Sequence, residues 1–277
     1  MDTSKVKNFI IAVLLTVNLF LLFMVISDST AAVSARNQAV DDVVSILEAN
    51  GISVNEDVEF FSGEAGVINL SRDLEEEEKY VSKLLGRVTA ESRGGNIYAY
   101  QGEEGQAVFR GTGGFEILMD SGAVSTGKNP AQTAKSVLSK LGIDIADGAT
   151  LVEMDASGLI TVTAFCSRQD SRIFDARVKL MFSEESLILV IGDRIFDRTA
   201  PAGTASVLDA PTVLMRFLEL IQQKGHVCRE IVAFEQGYVS NTTLAGEGTL
   251  SPVWRVETDT GEYYISGITG KEETVTD

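Results

Sequence analysis

Apolar residues follow two rhythms along this chain. From Phe9 to Ile26 the run FIIAVLLTVNLFLLFMVI is broken by one strongly polar side chain, Asn18. As a helix it would rise about 27 Å, against about 30 Å of hydrocarbon in a bilayer. Secretory signals carry a shorter apolar core ahead of a small-residue cleavage site. Ser29-Thr30-Ala31 and Val33-Ser34-Ala35 would supply such sites, but the length favours a retained transmembrane helix over 9–26. Lys5 and Lys7 precede it and the next basic residue is Arg36, so the positive-inside bias predicts a cytoplasmic N-terminus and an external remainder.

Past that segment the rhythm alternates between helical and extended. QAVDDVVSILEANGI places Val40, Val43, Val44 and Leu47 on one face and stops at Gly51. DLEEEEKYVSKLLG predicts a helix entered at Asp73, with glutamates in its first turn, Lys83 near its end and Gly86 at its C-cap. The acidic run then reads as a response to the helix dipole. Arg87 to Asp120 breaks into short apolar runs punctuated by glycines, an antiparallel meander. PAQTAKSVLSKLGI returns to helix with Val137, Leu138 and Leu141 inward, and a second meander runs from Ala149 to Gly192. A polar connection, DRTAPAGTAS, leads to the helix APTVLMRFLELIQQKG, with Leu214, Phe217, Leu218 and Ile221 inward. Two last strands, SPVWRVETD and EYYISGITG, flank a turn at Asp259 to Gly261.

SILEANGI, SVLSKLGI and ELIQQKGH each end a leucine-bearing helical turn at a glycine, Gly51, Gly142 or Gly225, which suggests a repeated unit. The expected fold class is α+β: one N-terminal transmembrane helix, then an ectodomain of repeated helix plus antiparallel β-meander units. The expected divisions are a cytoplasmic N-terminus 1–8, the transmembrane helix 9–26 and a juxtamembrane linker 27–37. They continue with a first α+β unit 38–128, a second α+β region 129–268 and a polar tail 269–277.

The net charge of −17 changes the picture of partners. Residues 1–27 contribute +1, leaving −18 on the rest, a surface that repels phosphate backbones and excludes nucleic-acid binding as a main role. The two cysteines, Cys166 and Cys228, are too few for a disulfide framework, and a pair and two buried thiols are both open readings.

Candidate chemistry is thin. GAVSTGKN, Gly122 to Asn129, has phosphate-loop spacing up to Lys128 but puts Asn129 where a magnesium-binding hydroxyl belongs. Asn129 as N-cap, Pro130 as first helical residue and Gln132 third explain the same letters as a helix start. Ser125 and Lys128 match a Ser-x-x-Lys spacing without its partner motifs. His226 is the one histidine, placed as a helix C-terminal residue, and neither a triad nor a zinc set forms around it. Asn69-Leu-Ser71 and Asn241-Thr-Thr243 match glycosylation acceptors at chance frequency. No catalytic residue, cofactor or metal site is expected. Asn18 is the polar residue that insertion does not explain: an amide in hydrocarbon gains about 0.6–2 kcal/mol by bonding another helix, and a helix–helix contact there and a polar residue tolerated in a helix apolar enough to insert are both open readings.

The N-terminal MDTSKVKNFIIAVLLTVNLFLLF resembles the start of the YycI family, in which basic residues precede an apolar helix with an Asn-Leu-Phe-Leu turn, matched by Asn18 to Leu21. Thr3 stands where the family usually has Trp. LSPVWRVETDTGEYYISGITGK, Leu250 to Lys271, resembles the family's closing hairpin and the end of PepSY-type modules, with Trp254, Tyr263 and Tyr264 as its structural aromatics. The resemblance implies a PepSY-like ectodomain in a membrane-anchored, non-enzymatic regulator, with Asn18 in a helix–helix contact. Its implied partners are a sensor histidine kinase controlling cell-wall metabolism and a YycH-type regulator. Two other readings stand beside it: an envelope-anchored hydrolase using ectodomain carboxylates, and a PepSY-like inhibitor or binding module.

Overall fold

The computed structural model describes residues 18, 35, 37–60, 65–195, 198–201 and 207–275. The chain divides into two compact units, Met1–Val54 and Asn55–Asp277. In the first, a helix over 37–49 (α1) buries Val43 and Leu47, the face its pattern predicts, and a short strand follows at Ser53–Val54 (β1).

In the second unit the helices are α2 (Leu74–Leu85), α3 (Pro130–Lys140) and α4 (Ala210–Lys224). Each starts at a polar capping side chain, α3 at the Asn129 its sequence predicts. Asp73 accepts from the Glu75 and Glu76 N–H groups, Asn129 from Gln132, and Asp209 from Thr212, satisfying donors that a helix start leaves orphaned. Gly225 closes α4 in the left-handed conformation.

The strands form two antiparallel systems. In the larger, sheet I, the order is β7 (Ile145–Met154), β8 (Ile160–Arg168), β9 (Ser171–Phe182), β10 (Leu187–Asp193), β6 (Gly114–Met119), β5 (Gly105–Phe109), β4 (Tyr98–Gln101) and β3 (Thr89–Ser92). Sheet II contains β11 (Arg198–Pro201), β2 (Ile68–Ser71), β13 (Glu247–Thr258) and β12 (Glu230–Thr242), with β14 (Gly261–Ser266) and β15 (Glu272–Glu273) continuing from β13. A parallel bridge between Tyr238 of β12 and Ile173 of β9 joins the two sheets.

Alternation along the strands separates core from surface. Tyr100, Ala107, Phe109, Phe115, Ile117, Val190, Leu180 and Val162 point to one face of sheet I and pack with Val81, Leu84 and Leu85 of α2 and Val137 and Leu138 of α3. Beneath α4, Phe217 meets Tyr263 edge to face at 5.3 Å, and Trp254 stacks on Phe234 at 4.7 Å.

This architecture corrects the expected α+β repeat. The described chain is mostly β, and strands from the two predicted α+β regions join edge to edge in one sheet. β10 lies between β9 and β6, on which it pairs Leu189 with Leu118 and Ile191 with Glu116. The strands β9 and β12 run 12 and 13 residues, so their ladders bond remote segments as well as adjacent hairpin partners.

The membrane-spanning helix over 9–26 is corrected as well. Apart from Asn18, which is helical and exposed, that segment lies outside the described residues, as do Lys5 and Lys7. Among the described residues no helix is long and apolar enough to cross a membrane. The longest of α2 to α4 is α4, with 15 residues, and it carries Arg216, Glu219 and Lys224. Such a helix rises only about 22 Å.

Candidate functional site

The face of sheet I opposite α2 and α3 carries exposed apolar and charged side chains together. Because residues directly paired across an antiparallel ladder share a face, the registers lay out its rows. Leu118 of β6 sits beside Leu189 of β10, which sits beside Met181 of β9. One row along, Glu116, Ile191 and Lys179 are neighbours. Leu118 and Ile191 are exposed. Toward β3 this face dips into a depression of ≈ 560 Å³ whose lining includes Glu91, Arg93, Gln101, Gln106, Glu116 and Leu118. The result is an apolar centre with a polar, mixed-charge margin, open on a twisted sheet.

At the other end of the same face lie the carboxylates of Asp175 and Asp193. Partial burial raises the Asp175 pKa, although its carboxylate accepts from the Ser240 N–H at 2.9 and 3.0 Å and from the Ser240 hydroxyl at 2.9 Å. Those bonds tie β9 to β12 beside the bridge between the sheets. Burial and the Asp175 charge raise Asp193, while Arg177 opposes the shift. Behind them the Cys166 thiol donates to the Asp193 carbonyl at 3.6 Å, and burial first, then the carboxylates, push its pKa up to about 12. A thiol held there stays protonated at neutral pH and is no nucleophile. Asp175 is therefore committed to joining the sheets.

A buried cluster beneath α2 escaped the sequence reading. Glu77 is 2% exposed and receives the Arg72 guanidinium through Nε at 2.8 Å and Nη2 at 2.6 Å. Tyr100 donates its hydroxyl to Glu77 at 2.7 Å, and Arg194 Nη1 stands 3.6 Å away. Burial, and then the bond to Glu77, push the Tyr100 pKa well up, so it remains a donor. Arg72 follows β2 of sheet II, Tyr100 lies on β4 of sheet I and Arg194 follows β10. The carboxylate thus knots both sheets to α2. The signal available was the position of Glu77, whose i+4 and i+8 partners Val81 and Leu85 are the buried stripe.

The residues singled out in the sequence fall in separate places. Trp254 is fully buried and donates Nε1–H to the Leu208 carbonyl at 3.2 Å. It pairs with Ile265 across the closing hairpin, while Val256 pairs with Tyr263 and Arg255 with Tyr264. Tyr264 lies on the opposite face, edge-on to Phe174 at 5.3 Å, and donates to Glu262 at 2.6 Å. Arg255 on that face is held by Glu235, Glu257 and Glu262. His226 follows the α4 cap, its N–H bonded to the Ile221 carbonyl and its Nδ1 2.9 Å from the Tyr263 hydroxyl. Gly122 to Asn129 forms a turn leading into α3, with Ser125 bridged to Ser186. Cys166 and Cys228 are both free and buried. Asn69 and Asn241 both oppose Thr249, on either side of β13. Among the described residues no group of His, Cys, Asp and Glu is placed to hold a metal ion.

Comparison with known proteins adds little. No protein-family profile and no curated protein matches the chain. Among solved structures, an uncharacterized protein from Eubacterium rectale ATCC 33656, determined at 1.45 Å, is similar over 82% of this chain and 92% of that one, at 10% identity and a TM-score of 0.49. A likeness that weak transfers neither fold nor function.

Proposed function

We propose that this chain is a non-enzymatic regulatory protein that binds a partner through the open face of sheet I. The carrying observation is the apolar row Leu118, Leu189 and Met181, set beside a polar depression on a face that α2 and α3 leave uncovered. Binding surfaces combine such a dehydratable centre with a polar rim. The accessible carboxylates support the same reading, since Asp175 and the glutamates around Arg255 already have structural partners. From the resemblance of both chain ends to the YycI family, the partner proposed is a sensor histidine kinase of cell-wall control, joined by a YycH-type regulator. The test is co-purification of the full chain with that kinase, with a photo-crosslinker at Ile191. With the crosslinker in place the otherwise unaltered chain is expected to crosslink, and the Leu118→Glu variant carrying the same crosslinker to lose at least tenfold of the yield with an unchanged unfolding midpoint. Equal capture by parent and variant would remove this face from the proposal.

A further inference from the structure

The edges of the two sheets are unequal. β3 has 4 residues, Thr89-Ala-Glu-Ser92, none of them a large apolar side chain. β11 is as short and ends on Pro201, and β15 is Glu272-Glu273 alone. Short, charged or proline-bearing strands are how sheets blunt an edge against further pairing. β7 is neither short nor proline-bearing, and its second half, Thr150 to Met154, carries one charge, Glu153. It runs 10 residues, and among the described residues it pairs only with β8.

Its register break falls between Ile145 and Thr150, so Thr150 to Met154 forms a regular ladder with Ala164 to Ile160. On that regular half Leu151 is 57%, Val152 52% and Met154 70% exposed. Leu151 lies on one face of the sheet, Val152 and Met154 on the other, so an added strand would find apolar contacts on both sides as well as backbone groups to pair.

Charge selects the occupant. From Leu141 to Ser167 the sequence contains no lysine or arginine, while Asp144, Glu153 and Asp155 lie along and beyond β7. A second copy would bring the same carboxylates and a further −17 charges to the edge. A cationic strand would be drawn to it, and like charges placed opposite are destabilising.

We propose that the free edge of β7 is a docking strand for an extended segment of a partner protein in which apolar residues alternate with lysine or arginine. The inference rests on the reading of this chain as a binding protein, and it adds a second contact, distinct from the sheet face, with its own chemistry. The probes are two fluorescent synthetic decapeptides, one alternating valine with lysine and one alternating valine with glutamate, titrated against the full chain by anisotropy at low and high salt. The lysine peptide is expected to bind at least tenfold more tightly than the glutamate peptide, and to weaken as salt rises. The Leu151→Lys/Glu153→Lys variant, altered at two exposed positions, is expected to keep the parent's unfolding midpoint and lose at least tenfold in affinity for the lysine peptide. Equal binding of both peptides, or binding unaffected by the variant, overturns the proposal. So does a parent dimer in sedimentation that the variant abolishes, which would assign the edge to a second copy. Kinase crosslinking at Ile191 that persists in the β7 variant would separate failure here from failure of the sheet-face reading.

Discussion

Replacing Glu77 with Gln tests whether the buried charge cluster organises the fold. The side chains of Glu77, Arg72 and Arg194 are 2%, 4% and 3% exposed, so no water is at hand to take over a lost partner. The amide is nearly isosteric and can still accept from Tyr100, so the change removes charge without opening a cavity. It leaves the Arg72 fork, now bonded at 2.6 and 2.8 Å to a carboxylate, facing an N–H₂ group on one side. Stranding a buried charge in this way costs about 3–5 kcal/mol. With a urea slope of about 3 kcal/mol/M, the upper end for small domains, the midpoint should fall by about 1–1.7 M. Glu76→Gln is the control. Its carboxylate meets Lys79 at 3.0 Å on the exposed side of the same helix, and so exposed a pair is screened by water and contributes little. Urea titrations of both variants, followed by circular dichroism, should therefore leave most of that fall as the gap between the two midpoints. A Glu77→Gln midpoint within experimental scatter of Glu76→Gln would refute the view that this carboxylate joins the sheets to α2.

Other expectations follow from single contacts. Gly142 has φ +69°, and a Cβ there would meet the Tyr80 ring at 2.6 Å, so Gly142→Ala should destabilise by about 1–3 kcal/mol in the same titration, with Tyr80→Ala in the same chain recovering only the steric part. Trp254→Ala removes the stack on Phe234 and the bond to Leu208 and should cost about 3–5 kcal/mol, and as the only tryptophan Trp254 should report unfolding by a red shift of its emission. Cys166 should resist thiol reagents until the chain unfolds. Its folded pKa of about 12 lies above the unfolded value, so the neutral thiol contributes stability fully below the unfolded pKa and loses it as pH rises toward 12. Stability measured between pH 8 and 11 should consequently fall more steeply in the parent than in Cys166→Ala, and parallel slopes would contradict this.

Local signals were legible where one element decides its own shape. α1 to α4 stand where periodicity and capping residues put them, because N-cap side chains and terminal glycines act within a turn. The turn into α3 is of the same kind: Asn129 and Pro130 determine it, and the phosphate-loop resemblance dissolves. What the sequence hid is long-range. Pairing of β10 with β6 depends on a register between residues some 70 positions apart, which no local pattern encodes. The outward row Leu118, Leu189 and Met181 exists only once that register is set, so the candidate surface could not be read in advance.

β12 shows how a strand at the junction of two sheets disguises itself. EIVAFEQGYVSNT was not recognisable as extended because its alternation fails twice. A register shift between Ile231 and Ala233 changes which side faces the core, and Glu235-Gln236-Gly237 interrupts the apolar run. Both interruptions have structural causes. Glu235 pairs with Arg255 on the face opposite Trp254. Gly237 lies where a Cβ would come within 2.4 Å of the Arg172 carbonyl and 2.7 Å of the Phe174 ring, so only glycine lets β9 approach β12 for the Tyr238–Ile173 bridge. The residues that spoil the strand's pattern are the ones that let two antiparallel systems meet. An α+β repeat was inferred from elements that each satisfied their own neighbourhood, whereas this fold is decided where a strand gives up its local pattern to serve a remote partner.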